Sequence, residues 1–210
     1  MSFFACGASK NPQENIYFEY FDTISVITSY AGDDLEDFEN NCDTVEEYLK
    51  EYHCLFDIYN EYEGINNLCT INKNAGGDWI GTDERLIDFL IYAKELCGLL
   101  DGEMNIMMGS VLSIWHDCRE MEKPNIPDDA ELYEAKKHIS MDALEIDTEN
   151  NRVRITDADA LIDVGAIGKG YAAEMAAQYL ISKGVSGYVL NIGGNIRIVG
   201  KKPSGDGWIT

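Results

Sequence analysis

The sequence predicts an α+β protein in which mixed β-sheets are flanked by helices. Three observations carry this reading. A β-branched run at residues 23–30 and strand-like runs at 152–156 and 188–200 supply sheets. Apolar residues at helical spacing in 45–59 and 82–100 supply two helices, and a third follows the glycines near 168.

Taken in order, residues 23–30 partly alternate and end at Gly32-Asp33-Asp34. Val45, Leu49, Tyr52 and Phe56 then mark an amphipathic helix over 45–59 with an acidic outer face. Residues 60–81 hold paired asparagines and Gly76-Gly77 and read mostly as loop. Thr82 is placed to N-cap the next helix, with Asp83 and Glu84 in its first turn. Leu86, Phe89, Leu90, Ala93, Leu96, Cys97 and Leu100 form its apolar face, and Asp101-Gly102 ends it. Residues 119–143 carry charge, two prolines and a short helix near 128–138, which reads as a surface excursion. No internal repeat or low-complexity segment is present.

The chain has 210 residues, 45% of them hydrophobic, which is enough for one large or two small cores. Its formal net charge is −22, so a nucleic-acid backbone or an anionic membrane surface would be repelled. A small anionic ligand would need a local device such as a helix N-terminus, an amide nest or a bound cation. No stretch approaches the length of a membrane span. Cys6, in Phe4-Ala5-Cys6-Gly7, fits the end of a bacterial lipoprotein signal followed by a polar tether over residues 1–15, and equally a surface cysteine in a frayed tail. The remaining cysteines lack zinc-site spacing.

Three segments can carry chemistry. In the first, Asp163 meets Gly165, Gly168 and Gly170 before a helix that ends near Gly184. Such glycines permit positive φ and close ligand approach, and Lys169 adds a cation where helix N–H groups are free. The spacing is neither a Rossmann nor a Walker fingerprint, and a plain strand-to-helix turn fits equally well. The second is Asn191-Ile192-Gly193-Gly194-Asn195 between strand-like runs, a hairpin by itself. The third runs from Asp101 to Trp115, where methionines and a tryptophan suit either a flat aromatic pocket or ordinary core.

Together these segments resemble the ApbE family, the bacterial FAD:protein FMN transferases once called thiamine-biosynthesis lipoproteins. The family's Asp, small residue, Gly, Ile, Lys-Gly-Tyr-Ala pattern is met by residues 163–172, and its Asn-Gly-Gly-Asn type turn by 191–195. Lys202, Pro203, Gly205 and Trp208 follow as in the family, and 101–115 approximates its Asp-Gly-x-Asp element, with Asn105 where Asp is usual. Phe21-Asp22-Thr23 stands in place of Met-Gly-Thr. The resemblance covers residues 18–210.

The resemblance implies a two-lobed, T-fold-related architecture. It implies Mg²⁺-dependent transfer of FMN from FAD to a Thr or Ser hydroxyl of a partner protein, with release of AMP. FAD pyrophosphatase activity, or flavin binding by a lipoprotein without catalysis, is the alternative. Tyr59, Glu103, Met104, Asn105, Asp163 and Lys169 would line the FAD site, and the Ala166 backbone carbonyl would bind the metal. The partner would be a secreted or membrane-bound flavin-accepting protein, such as a subunit of a redox-driven ion pump. The location would be extracytoplasmic, with lipid anchoring through Cys6. Because the family continues well past the Asn191 turn, residues 16–210 are expected to be a transferase domain incomplete at its C-terminus. The catalytic residues would then lie in the absent part, and this chain alone would bind Mg²⁺ weakly and transfer no FMN.

Overall fold

The computed structural model describes residues 11–202, 204–205 and 207–208. Cys6 and most of the expected tether, together with Pro203, lie outside them. The described chain divides into two units. One contains the residues up to His53 and those from Ile167 onward, and the other is Cys54–Ala166. The α+β class is what the structure shows, and within each sheet the strands pair antiparallel rather than mixed.

The first unit is built on a four-stranded sheet of order β1-β2-β6-β7. β1 is Gln13–Tyr17, so residues 13–15, expected in the tether, are sheet. β2 is Ser25–Ser29, β6 is Tyr188–Ile192 and β7 is Asn195–Val199. β6 pairs with β2 in the register Ile27↔Leu190. Its Tyr188, Leu190 and Ile192 are buried while Val189 and Asn191 are not, which is the period-two signature of a one-faced strand. Helix α6, Gly168–Ser182, packs against β6 and β7 through Ala172, Ala173, Ala176, Ala177 and Leu180. Small alanines let its backbone approach the sheet closely.

Helix α1 is Leu35–Phe56, ten residues longer at its start than the expected 45–59 and three shorter at its end. The Asp34 side chain accepts from the Asp37 amide at 2.9 Å, giving an N-terminus that the apolar period alone did not show. Phe38 and Cys42 then extend the buried stripe of Val45, Leu49 and Tyr52. Phe38 packs on Tyr188, and the Tyr17 hydroxyl donates to the Cys42 carbonyl at 2.9 Å. Burial pushes the Cys42 thiol up to about 11.

The second unit contains a three-stranded sheet of order β3-β5-β4. β3 is Ile80–Gly81, β4 is Leu144–Asp147 and β5 is Arg152–Ile155. Around it lie α2 (Leu68–Lys73), α3 (Glu84–Leu99), α4 (Gly109–Glu120) and α5 (Asp129–Ala135). Residues 60–81, expected as loop, thus hold a helix and a short strand. Buried Asn67 creates that helix: its side chain accepts from the Thr70 amide and donates to the carbonyls of Cys54 and Asn60. The N-cap of α3 is Asp83, not Thr82: the Asp83 carboxylate accepts from the Arg85 amide at 2.9 Å. Leu86, Phe89, Leu90 and Ala93 bury the first part of the face read from the sequence, whereas Leu96 and Cys97 are half-buried and Leu100, just past the helix end, is exposed; Phe89 meets Phe56 at 4.2 Å between ring centroids. Each such fully buried large side chain contributes about 2 kcal/mol.

Candidate functional site

A cavity of about 530 Å³ opens in the second unit, and four pieces of chain build its wall. On α4, Gly109, Leu112, Ser113 and His116 fall at i, i+3, i+4 and i+7, so one stripe of the helix faces the cavity. The first of these has to be glycine. A Cβ at Gly109 would sit 2.5 Å from the Leu161 carbonyl oxygen, to which the Gly109 amide donates at 3.0 Å. The glycine therefore lets the start of α4 lie directly on residues 161–163, with Met108 and Leu161 forming a parallel bridge.

Asn72 of α2 holds that segment from another side. Its Nδ2 donates to the Ile162 carbonyl at 2.9 Å and its Oδ1 accepts from the Ile162 amide at 2.8 Å. The Asp163 amide donates to the Ile106 carbonyl at 2.8 Å. Asp163 is thus fixed at the cavity wall by its backbone. Its Oδ1 accepts from the Gly165 amide at 2.8 Å, which leaves Oδ2 for other partners.

Tyr59 lines the same cavity from the turn after α1 and is largely exposed. Its ring lies on that of His116, with centroids 5.3 Å apart and planes 35° apart. Asp57 shapes this turn by accepting from the amides of Tyr59 and Asn60, the Asn60 side chain and the Tyr62 hydroxyl. Burial alone would raise the Asp57 carboxyl, but those hydrogen bonds, Asn60 foremost, hold it below its usual range.

Of the residues singled out in the sequence, Tyr59 and Asp163 therefore meet at one cavity. Glu103, Met104 and Asn105 are not part of its lining. Asn105 is spent on the fold: its Nδ2 donates to the Ile139 carbonyl and its Oδ1 accepts from the Met107 amide, both at 2.8 Å. Glu103 is exposed. Ala166 is exposed in the turn that ends this unit, and Lys169 is the second residue of α6 in the other. That helix begins with no side-chain cap and no acidic residue in its first turn. Gly165, Gly168 and Gly170, which permit positive φ, do not use it.

Asn72, His116 and Arg119 of the cavity wall were not singled out in the sequence. The Asn72 clamp spans ninety residues of chain and leaves no local pattern. The His116–Arg119 pair could have been read from its i, i+3 spacing on a helix carrying Trp115. Among the described residues, the group of three side chains able to share a metal is His138, Asp157 and Asp159, none of which borders the cavity.

A two-unit α+β chain with an aromatic-walled cavity at Asp163 defines a class, and comparison with known proteins places it. The ApbE family model matches residues 21–210, and the chain belongs to that family. It is 25% identical over 152 residues to the FAD:protein FMN transferase of Vibrio cholerae, which is 72% of this chain and 45% of that protein. It is 23% identical over 173 residues to the enzyme of the same name from Haemophilus influenzae, covering 81% and 49%. The chain spans about half the length of these relatives. Among solved structures, the ApbE protein of Thermotoga maritima superposes with a TM-score of 0.79 at 25% identity, over 93% of this chain and 61% of that one. Flavin transferase ApbE from Vibrio cholerae gives 0.78 at 20%, over 94% and 62%, and shows the shared fold.

Proposed function

We propose that this chain binds FAD as substrate and takes part in FMN transfer from FAD to a Thr or Ser hydroxyl of a flavin-accepting protein. One observation carries the reading. Tyr59 and Asp163 lie over a hundred residues apart, both fall at positions the family resemblance assigns to FAD, and both line one cavity. Its volume and its aromatic side chains suit a planar heterocycle.

In the reaction, the acceptor oxygen attacks the phosphorus of the FMN half and the pyrophosphate bridge breaks. AMP departs with the bridging oxygen, and the hydroxyl proton passes to solvent or a base. Such a transfer depends on positioning and on neutralising charge. Asp163, held by the Asn72 clamp and the Ile106 carbonyl, presents one free carboxylate oxygen to the flavin side. Lys169, which the resemblance also assigns to FAD, stands at an open helix N-terminus, a place that favours an anion. Bound Mg²⁺ would offset pyrophosphate charge. The Ala166 carbonyl would be one ligand, and this turn by itself does not supply the octahedral oxygen set such an ion takes.

Because the chain spans about half the length of its relatives, the test places these residues in a protein of the relatives' full length and incubates it with FAD, Mg²⁺ and an acceptor peptide carrying Thr or Ser. Gain of FMN mass on the peptide together with AMP supports transfer. AMP without labelled peptide makes the protein a pyrophosphatase, and FAD binding without AMP makes it a binder. No FAD binding removes the proposal. Lys169→Ala is expected to weaken FAD binding about tenfold, the loss of one charge-assisted contact, without lowering thermal stability. We also propose an extracytoplasmic location with Cys6 as lipid anchor, supported by the Phe4-Ala5-Cys6-Gly7 sequence. Absence of fatty-acid label on Cys6 in cells would sink it.

A further inference from the structure

Three lines of geometry converge on the α4 wall of the cavity. His116 and Arg119 both line it. The Arg119 Nη2 and the His116 Nδ1 are 3.1 Å apart. A guanidinium has only donors, so this contact is a hydrogen bond only when Nδ1 is bare and accepting. The opposite side of the arrangement is fixed by Tyr59, whose ring rests on the imidazole. His116 is therefore flanked by the Tyr59 ring on one side and the Arg119 guanidinium on another.

Arg119 itself is weakly committed. Its side chain is 68% exposed, and its nearest carboxylate, Glu120, stands 3.8 Å from Nε. The other cation of this wall, Lys73, is instead closed by Glu61 at 2.6 Å. Two carboxylates, Asp117 and Asp163, share the lining. In a protein of net charge −22, an anion entering this cavity meets a guanidinium that touches His116 and whose ion pair among the described residues is the 3.8 Å contact with Glu120.

We propose that Arg119 binds a phosphate group of the dinucleotide substrate in this cavity, and that His116, in ring contact with Tyr59 and accepting from Nη2, is its positioning residue. This rests on the FAD reading above and goes beyond it by assigning the anionic part of the ligand to α4. Arg119 is a ligand-binding residue. His116 acts through it.

The experiment measures binding of FAD, ADP and riboflavin to the full chain by isothermal titration. Riboflavin has the flavin ring without phosphate, and ADP has phosphates without the flavin. Arg119→Gln is expected to weaken FAD and ADP about tenfold or more, as one charge-assisted hydrogen bond requires, while leaving riboflavin within about twofold. His116→Phe keeps a ring against Tyr59 but removes the acceptor. It is expected to weaken FAD and ADP several-fold and spare riboflavin, a split that a purely structural role would not produce. Arg119 is exposed, so its substitution leaves the fold intact, and an unchanged thermal midpoint verifies this. Unchanged FAD binding by Arg119→Gln would overturn the proposal and leave the FAD reading standing. Equal losses for all three ligands would overturn it as well, by making the pair part of the wall. An unaltered chain that binds none of the three would overturn both readings.

Discussion

The turn at 191–195 and the turn at 163–170 look alike in the sequence, both rich in glycine and both set between regular elements, but they ask opposite things of the chain. The first closes on itself. Gly193 and Gly194 take φ of 56° and 89°, as a two-residue hairpin requires. Asn191 Oδ1 accepts from the Gly194 amide at 2.9 Å, and the Gly193 amide donates to the Ile24 carbonyl at 3.1 Å. The second stays open. None of its glycines has positive φ, Gly165 and Ala166 are exposed, and α6 starts without a side-chain cap. A glycine motif can thus mean a backbone demand or a vacant space, and only the structure separates the two.

The largest effect expected from this contrast is at Gly193. Alanine there must adopt a left-handed conformation and place its Cβ 2.7 Å from two atoms of the Thr23 side chain. The conformational cost of about 1 kcal/mol and an overpacking cost of about 1–2 kcal/mol together predict a loss of about 2–3 kcal/mol. Urea unfolding of Gly193→Ala measures it. A loss near zero would show that this turn is as permissive as the other.

Next in size is Asn72→Ala. The open turn owes its position to hydrogen bonds outside it, and Asn72 makes two of them to Ile162. Losing both, with the Ile162 backbone groups left short of partners, is expected to cost about 2 kcal/mol. FAD affinity should fall with it, because Asp163 is the next residue. Unchanged affinity in the folded variant would separate the clamp from the site.

A smaller effect joins the elements that follow the two turns. Glu174 of α6 pairs with Arg197 of β7, Nε to Oε2 at 2.5 Å. The Arg197 hydrogen bond holds the Glu174 carboxyl below its usual range. A carboxyl depressed in the folded state stabilises fully above its unfolded pKa and loses that contribution as pH falls through the folded value. Both side chains are about a third exposed, so the pair is worth under about 1 kcal/mol. Melting temperatures of Glu174→Gln and the unaltered protein should differ most near pH 7 and converge on acidification below the ordinary carboxylate range. A gap that widens in acid would contradict the assignment.

What the sequence made legible follows from how local each signal is. The hairpin at Gly193-Gly194, the helix after Gly168 and the apolar face of α3 are set by neighbours within a turn or two, and all were readable. β1 was not, because Gln13, Glu14 and Asn15 are polar and gain their strand only by pairing with β2. The start of α1 was missed because 35–44 is acidic and its buried positions, Phe38 and Cys42, are sparse. At the cavity, Tyr59 and Asp163 came from the family resemblance. Asn72 and Gly109 act through the backbone of 161–162, a relation that becomes visible only when the chain folds.

The smallest stability effect, and the sharpest test of the contrast, is Gly165→Ala. Gly165 has an ordinary φ and is exposed, so alanine incurs no left-handed penalty. Its Cβ would lie 3.2 Å from Asp163 Oδ1, the only close neighbour among the described residues, and that atom is the end of a side chain. The carboxylate must give by a few tenths of an ångström. Against this, alanine restricts the unfolded chain and returns about 0.4–1 kcal/mol. The two terms nearly cancel, so stability should stay within about 0.5 kcal/mol of the unaltered protein. Function should respond more. The displaced carboxylate weakens its bond from the Gly165 amide and turns toward the cavity, where it borders the proposed FAD site. A several-fold fall in FAD affinity at constant stability is the expected result, read by titration and thermal melting on the same sample. Destabilisation as large as that of Gly193→Ala would mean that the open turn is under the same backbone constraint as the closed one, and the contrast between them would fail.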